Sequence, residues 1–169
     1  KQIEAKNPSL ENKEAVAHAV GVGAVIFHDL KNDRTNNFDF ALEEVVQFEG
    51  ETGPYVQYTH ARAMSILRKA NHTVDTQAAF SLTDDDAWEV LKLIENYPNV
   101  VRFAEEKCEP SAIAKYVINL AQAFNKYYAH TKVLVEDEAF NSRIALVQTT
   151  ASILKQGLAL LGVAAPDEM

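Results

Sequence analysis

Tyr55, Tyr58 and Arg62 stand at i, i+3 and i+7 in a run that opens at Pro54, so in a helix all three project from one face. Two aromatic planes and a guanidinium so placed are equipped to stack on unpaired bases and to hydrogen-bond their edges. The same spacing suits a bundle whose core the tyrosines fill, with their hydroxyls at its rim and Arg62 paired to an acid. Spacing alone leaves both open. A second aromatic group, Phe124, Tyr127 and Tyr128 with Asn125 among them, closes a later helix. The apolar stripe of that helix, Ile113, Tyr116, Val117, Leu120, Phe124 and Tyr127, puts Tyr127 in the core and leaves Tyr128, one position round, freer to meet a ligand. Asn125 both donates and accepts, which suits a base edge and equally a helix-to-helix hydrogen bond.

Other chemistries lack their residues. After Gly21-Val22-Gly23 a dinucleotide loop needs a third glycine where Ile26 stands, and there is no phosphate-loop Gly-Lys-Ser or Gly-Lys-Thr and no Gly-x-Ser-x-Gly elbow. His18, His28, His60, His72 and His130 are scattered without paired ligand spacing, so no metal site is expected. Asp84, Asp85 and Asp86 would point in three directions on a helix, which favours capping over a magnesium ligand set. No catalytic residues are therefore assigned, and the chain is expected to bind rather than to make or break bonds.

The elements that must position these residues are helical. Proline and glycine are scarce and fall between long helix-compatible runs. Asn7-Pro8-Ser9 is expected to precede a helix carrying Ala15, Val16, Ala19 and Val20, which Gly21-Val22-Gly23 interrupts; Ala24 to Phe27 reads as a helix turn or a strand. A polar loop over Lys31 to Phe40 leads to a helix from about Phe40 to Gln47. The next helix opens at Gly53-Pro54 and runs to about Ala70. Thr83 or Asp84 caps a helix reaching Tyr97, Pro98 starts a shorter one, and Pro110 opens a helix to about Thr131. In the last helix Phe140, Ile144, Val147, Ala151, Leu154, Leu158 and Leu161 recur at spacings of four and three, with a second stripe at Leu146, Ile153 and Leu160. A face that broad belongs deep in a bundle, or in an interface with another protein. Gly162 ends the helix and a tail to Met169 follows.

With 169 residues and 47% hydrophobic content, the chain is long enough for one main domain. A formal net charge of -8 argues against nucleic-acid binding through a broad basic surface, so any such contact must be local. The single cysteine, Cys108, forms no intramolecular disulfide, and no apolar stretch is long enough to span a bilayer as a helix; a reducing cytoplasm is the expected location. The start, Lys1-Gln2-Ile3-Glu4, falls in mid-pattern and is expected to be a cut through a longer chain.

Six ordered runs carry a family resemblance. Gly21 to Leu30 with Asn32-Asp33-Arg34-Thr35, then Phe48-Glu49-Gly50-Glu51-Thr52-Gly53-Pro54-Tyr55-Val56-Gln57-Tyr58-Thr59-His60-Ala61-Arg62, resemble the segment after the catalytic domain of bacterial arginyl-tRNA synthetases. Leu120 to Tyr128, Arg143 to Val147 and the ending from Leu160 to Met169 resemble that family's anticodon-binding DALR domain. The stretch behind the domain's name is only loosely echoed, by Asp137-Glu138-Ala139-Phe140, and supplies no site residue.

The resemblance implies a mainly α-helical bundle at 49–169, the anticodon-binding domain, preceded by a connecting segment at 1–48 that follows the catalytic half. It implies a class I enzyme that activates arginine with ATP and magnesium and charges arginine tRNA, its His-Ile-Gly-His and Lys-Met-Ser-Lys-Ser signatures upstream of Lys1. The fragment itself would hold no cofactor and be inactive alone. By motif, Tyr55, Tyr58 and Arg62 match the face that meets the anticodon loop, Tyr128 an aromatic that packs on a splayed base, and Met169 a terminal methionine beside the anticodon, with Asn125 a lesser candidate. The partners implied are arginine tRNA and the catalytic domain of the same chain, with neither DNA nor membrane. A few unstacked bases need stacking surfaces more than a basic field, with Arg68, Lys69 and Lys126 as local cations for phosphate. A helical protein-interaction module is the rival that the last helix's apolar face suggests.

Overall fold

The computed structural model describes residues 10–33 and 35–169, and within them six helices and no strand. In chain order these are α1 (Lys13–Lys31), α2 (Leu42–Val45), α3 (Gly53–Ala70), α4 (Asp85–Lys107), α5 (Ser111–His130) and α6 (Phe140–Leu160). Asn7-Pro8-Ser9 and Arg34 lie outside the described residues. Helices α3, α4, α5 and α6 form a bundle, and α1 packs against α3 and α5. Phe27 of α1 is fully buried and joins the same core as Val56, Leu120, Phe124, Ile144 and Leu154.

Two helix breaks expected from local residues do not occur. Helix α1 runs through Gly21-Val22-Gly23 without interruption. Gly23 sits where α1, α3 and the tail converge: a Cβ there would lie 2.8 Å from Gln57 Nε2 and 3.0 Å from Val163 Cγ1. The glycine thus permits close approach rather than ending the helix. Pro98 likewise lies inside α4, whose 23 residues form one helix, and it occupies the exposed face. An interior proline costs about 3 kcal/mol of helix, and the packing of Leu91, Ile94, Val101 and Ala104 on the core offsets it. The short helix expected from Phe40 to Gln47 shrinks to Leu42–Val45, with Phe40 more than half exposed.

Other ends follow their residues. Thr52 caps α3, its Oγ1 accepting from Tyr55 N at 3.2 Å, and Pro54 occupies the first turn. Asp84 caps α4 by accepting from Ala87 N at 2.7 Å. Asp86 turns instead to α5 and pairs with Lys126 at 2.7 Å and His130 at 2.6 Å, and these two, Lys126 first, hold its carboxyl below the ordinary range. Helix α6 is closed off by Gly162, with φ of 71°; Gly162 N donates to Ala159 O and Val163 N to Leu158 O, each at 2.9 Å. This six-to-one closure turns the chain back across the bundle, and buries Val163 in the core.

Most of the broad apolar face of α6 is consumed inside the molecule: Ile144, Val147, Leu154 and Leu158 are fully buried, with Leu146 and Ile153 nearly so, whereas Leu160 of the second stripe is exposed at the helix end. Helix α5 meets α6 at Gly157, where a Cβ would lie 2.4 Å from Val117 Cγ1. Alanine is favoured over glycine in a helix by about 1 kcal/mol, yet Val117 is fully buried and has nowhere to retreat. Gly157→Ala should therefore lower stability by about 1–3 kcal/mol, read as an earlier urea midpoint at unchanged slope. An unchanged or later midpoint would show that the two helices separate at little cost.

Candidate functional site

Tyr58 and Arg62 project from α3, and Tyr128 from the last turns of α5, toward the same cleft. The guanidinium carbon of Arg62 lies 5.0 Å from the centre of the Tyr58 ring and 5.7 Å from that of Tyr128, within reach of a cation–π contact with both. The cleft, about 370 Å³, is also lined by Lys69, Leu134 and Met169. The i, i+4 relation of Tyr58 and Arg62 is local, whereas Tyr128 arrives through the packing of α3 on α5.

Asn125 organises this group from beneath. Its Oδ1 accepts from Arg62 Nη1, and its Nδ2 lies 3.0 Å from the Tyr55 hydroxyl and 2.9 Å from Thr59 Oγ1. Arg62 therefore pairs with an amide that joins two helices, not with an acid. An amide satisfies the guanidinium without neutralising its charge. Tyr55 is placed differently from Tyr58: half-buried, packed on the core and tied to Asn125, it braces the network and does not line the cleft.

Tyr127 and Tyr128 divide as their helical phase requires. Tyr127 is fully buried, and burial pushes its phenol up to about 12, whereas Tyr128 is 41% exposed. Phe48, in the segment before α3, meets Tyr58 edge-on at 6.0 Å between ring centres. Neither Phe48 nor Leu134 stands out in the sequence, because single apolar residues in connecting segments carry no periodicity to read.

The tail completes the site. Met169 lies in the cleft beside Tyr58 and Tyr128 and packs at its other side near Leu10 and Val20. Of the cations expected to meet phosphate, Arg68 and Lys69 reach the cleft, Arg68 pairing with Glu168 at 3.3 Å. Lys126 is instead engaged by Asp86, which holds its ammonium above the ordinary value.

Arg143 carries a structural role that its sequence context does not reveal. Only 7% exposed, it donates through Nε to Val133 O at 3.1 Å and through Nη2 to Val135 O, and pairs with Asp137 at 2.9 Å. It thereby fixes the 131–139 connection that brings Leu134 to the cleft. Among the described residues no group of three or more potential metal ligands gathers, and no helix is long and apolar enough to cross a membrane.

Residues 56–169 match the family described as DALR anticodon binding domain, and residues 1–42 match the family described as tRNA synthetases class I (R), catalytic domain. The arginine–tRNA ligase of Enterococcus faecalis is 65% identical over 99% of this chain, and that of Lactiplantibacillus plantarum 62% identical over the same share. The chain spans 30% of the length of each of those relatives. The arginyl-tRNA synthetase of Thermus thermophilus superposes with a TM-score of 0.90 at 37% identity, covering 99% of this chain and 29% of that one. Its counterpart from Plasmodium falciparum does so at 0.89 and 25% identity, with 99% and 30% covered. With residues 56–169 matched, two thirds of its length, the chain belongs to the DALR anticodon-binding domain family.

Proposed function

We propose that this chain is the anticodon-gripping part of an arginine–tRNA ligase, and that Tyr58, Arg62, Tyr128 and Met169 form the walls on which unstacked anticodon bases rest. Tyr55 and Asn125 belong to the same site as its frame. The observation that carries this is the approach of one guanidinium to two tyrosine rings at the rim of a cleft. Every base has a π-face, so such a surface accepts splayed bases, and the amide-paired guanidinium adds hydrogen-bond donors for their edges. A cleft of about 370 Å³ is at the small end of ligand sites, which run from roughly 300 to 1,000 Å³. It suits one or two bases rather than a duplex. The net charge of -8 fits this mode, since affinity from stacking needs few phosphate contacts.

In the whole enzyme this grip would hold arginine tRNA so that its distant acceptor end reaches the active site, contributing binding energy and identity rather than bond chemistry. Activation of arginine with ATP and magnesium would occur in the catalytic domain, in the cytoplasm. The described residues gather no ligand set for magnesium, and no step of that reaction is assigned to them. Residues 1–48 would form the junction with that domain, with 49–169 as the binding bundle.

The test is a titration of the chain with a fluorescent arginine-tRNA anticodon stem-loop, beside the same stem-loop with its central cytosine changed. Binding that weakens on that change is expected, by about 1–3 kcal/mol for one base contact. Equal binding of the two loops would assign base readout elsewhere.

A further inference from the structure

Helix α3 presents two neighbouring rows. Tyr58, Arg62, Ser65 and Lys69 face the cleft. Gln57, His60 and Arg68, about a third of a turn round, take hold of the chain after Gly162. Gln57 Nε2 donates to Ala164 O at 2.7 Å, His60 Nε2 lies 3.0 Å from Asp167 Oδ1, and Arg68 Nη1 donates to Asp167 O at 3.2 Å. Lys155 of α6 reaches the same Asp167 Oδ1 at 3.2 Å.

The histidine leg differs from an ordinary surface ion pair. His60 is 1% exposed, and its Nδ1 lies 3.1 Å from Ala151 O on α6, so one side of the ring is held by α6 while the other meets the tail. Both its neighbours are acceptors, and both contacts are hydrogen bonds when each ring nitrogen carries a hydrogen. Exposed pairs contribute little because two long side chains must be ordered in water; a buried, pre-positioned imidazole avoids half of that ordering. The partner carboxyl is held below its ordinary range, by His60 first and Lys155 after it. Two residues beyond that anchor, Met169 enters the cleft beside Tyr58 and Tyr128.

We propose that His60 and Lys155, acting through Asp167, are positioning residues for the cleft: they hold the tail at the register that makes Met169 one of its walls. The inference rests on the anticodon reading above, and it assigns to a buried histidine that touches no RNA a share in holding the base.

The chain has two methionines, Met64 and Met169, so methyl-labelled methionine gives two signals whose positions can be followed in Asp167→Ala, Met169→Ala and the double variant. Asp167 is nearly half exposed, and its removal should leave the bundle folded. In Asp167→Ala the Met169 methyl signal should leave its ring-shifted position while that of Met64 stays. Stem-loop affinity should fall about tenfold, the size of one charge-assisted hydrogen bond. Asp167→Asn, which keeps an oxygen for His60, should recover part of that loss. Met169→Ala should cost a similar amount, and the double variant should bind no worse than Met169→Ala alone, because the anchor acts through the methionine. An unmoved Met169 signal, or losses that multiply in the double variant, would overturn the proposal. Tyr128→Ala serves as the reference: if it weakens binding while Asp167→Ala does not, only the positioning role falls. If neither variant changes binding, the anticodon reading falls and this inference with it.

Discussion

Tyr128→Ala should weaken capture of the anticodon stem-loop roughly tenfold to a hundredfold, the loss expected when one stacking platform for a base is removed. Its ring is 41% exposed and is held mainly by contact with Arg62, so the denaturation midpoint should shift by no more than about 0.5 kcal/mol in stability. Tyr127→Ala provides the contrast one residue away. That side chain is fully buried among Phe124, Ile144 and Leu154, and truncating it should cost about 3–5 kcal/mol, read as a large drop in urea midpoint. Measuring both variants in both assays separates a ligand-facing ring from a core ring. A large stability loss for Tyr128→Ala with unchanged affinity would return that residue to the core and remove the platform.

Asn125→Ala should weaken both stability and binding, for different reasons. Arg62, Tyr55 and Thr59 all lose a partner at once; Thr59 keeps its bond to Tyr55 O, but leaving the half-buried Arg62 and Tyr55 groups without theirs costs about 1–3 kcal/mol. Binding should fall as well, because the guanidinium is no longer aimed between the two tyrosine rings. Asn125→Asp separates these effects. A carboxylate accepts from Arg62 and the Tyr55 hydroxyl can rotate to donate to it, while the Thr59 hydroxyl keeps its bond to Tyr55 O, so the midpoint should fall less than in Asn125→Ala. The new negative charge neutralises Arg62 and repels phosphate, so stem-loop affinity should still fall, most strongly at low salt. An Asn125→Asp variant that binds as well as the parent would show that the charge of Arg62 plays no part in holding the loop.

Helix α3 shows what could be read without coordinates. Its cap, its first-turn proline and the common face of Tyr58 and Arg62 all follow from residues within one or two turns, where helical geometry alone sets the spacing. The split between Tyr127 and Tyr128 is of the same kind, a matter of phase against the stripe from Ile113 to Phe124. The burial of α6 also follows from the breadth of its apolar face. Pro98 and Gly21-Val22-Gly23 misled because their local cost to a helix is a few kcal/mol at most, and packing of the flanking residues overrides it. Gln57 and His60 carried no signal at all, since a polar residue on a helix gives no sign of whether a distant carbonyl or carboxylate will meet it.

The sequence by itself therefore determined the helical class, most of the helix limits and the residue types able to hold an unpaired base, because these depend on neighbours three or four positions apart. Tertiary structure decided which of those residues share a cleft. Tyr128 reaches Arg62 through the packing of α5 on α3, Asn125 ties the two helices, and Met169 arrives after Gly162 turns the chain back. Those contacts join residues more than sixty positions apart, and their formation depends on how the core helices pack, which no local periodicity encodes.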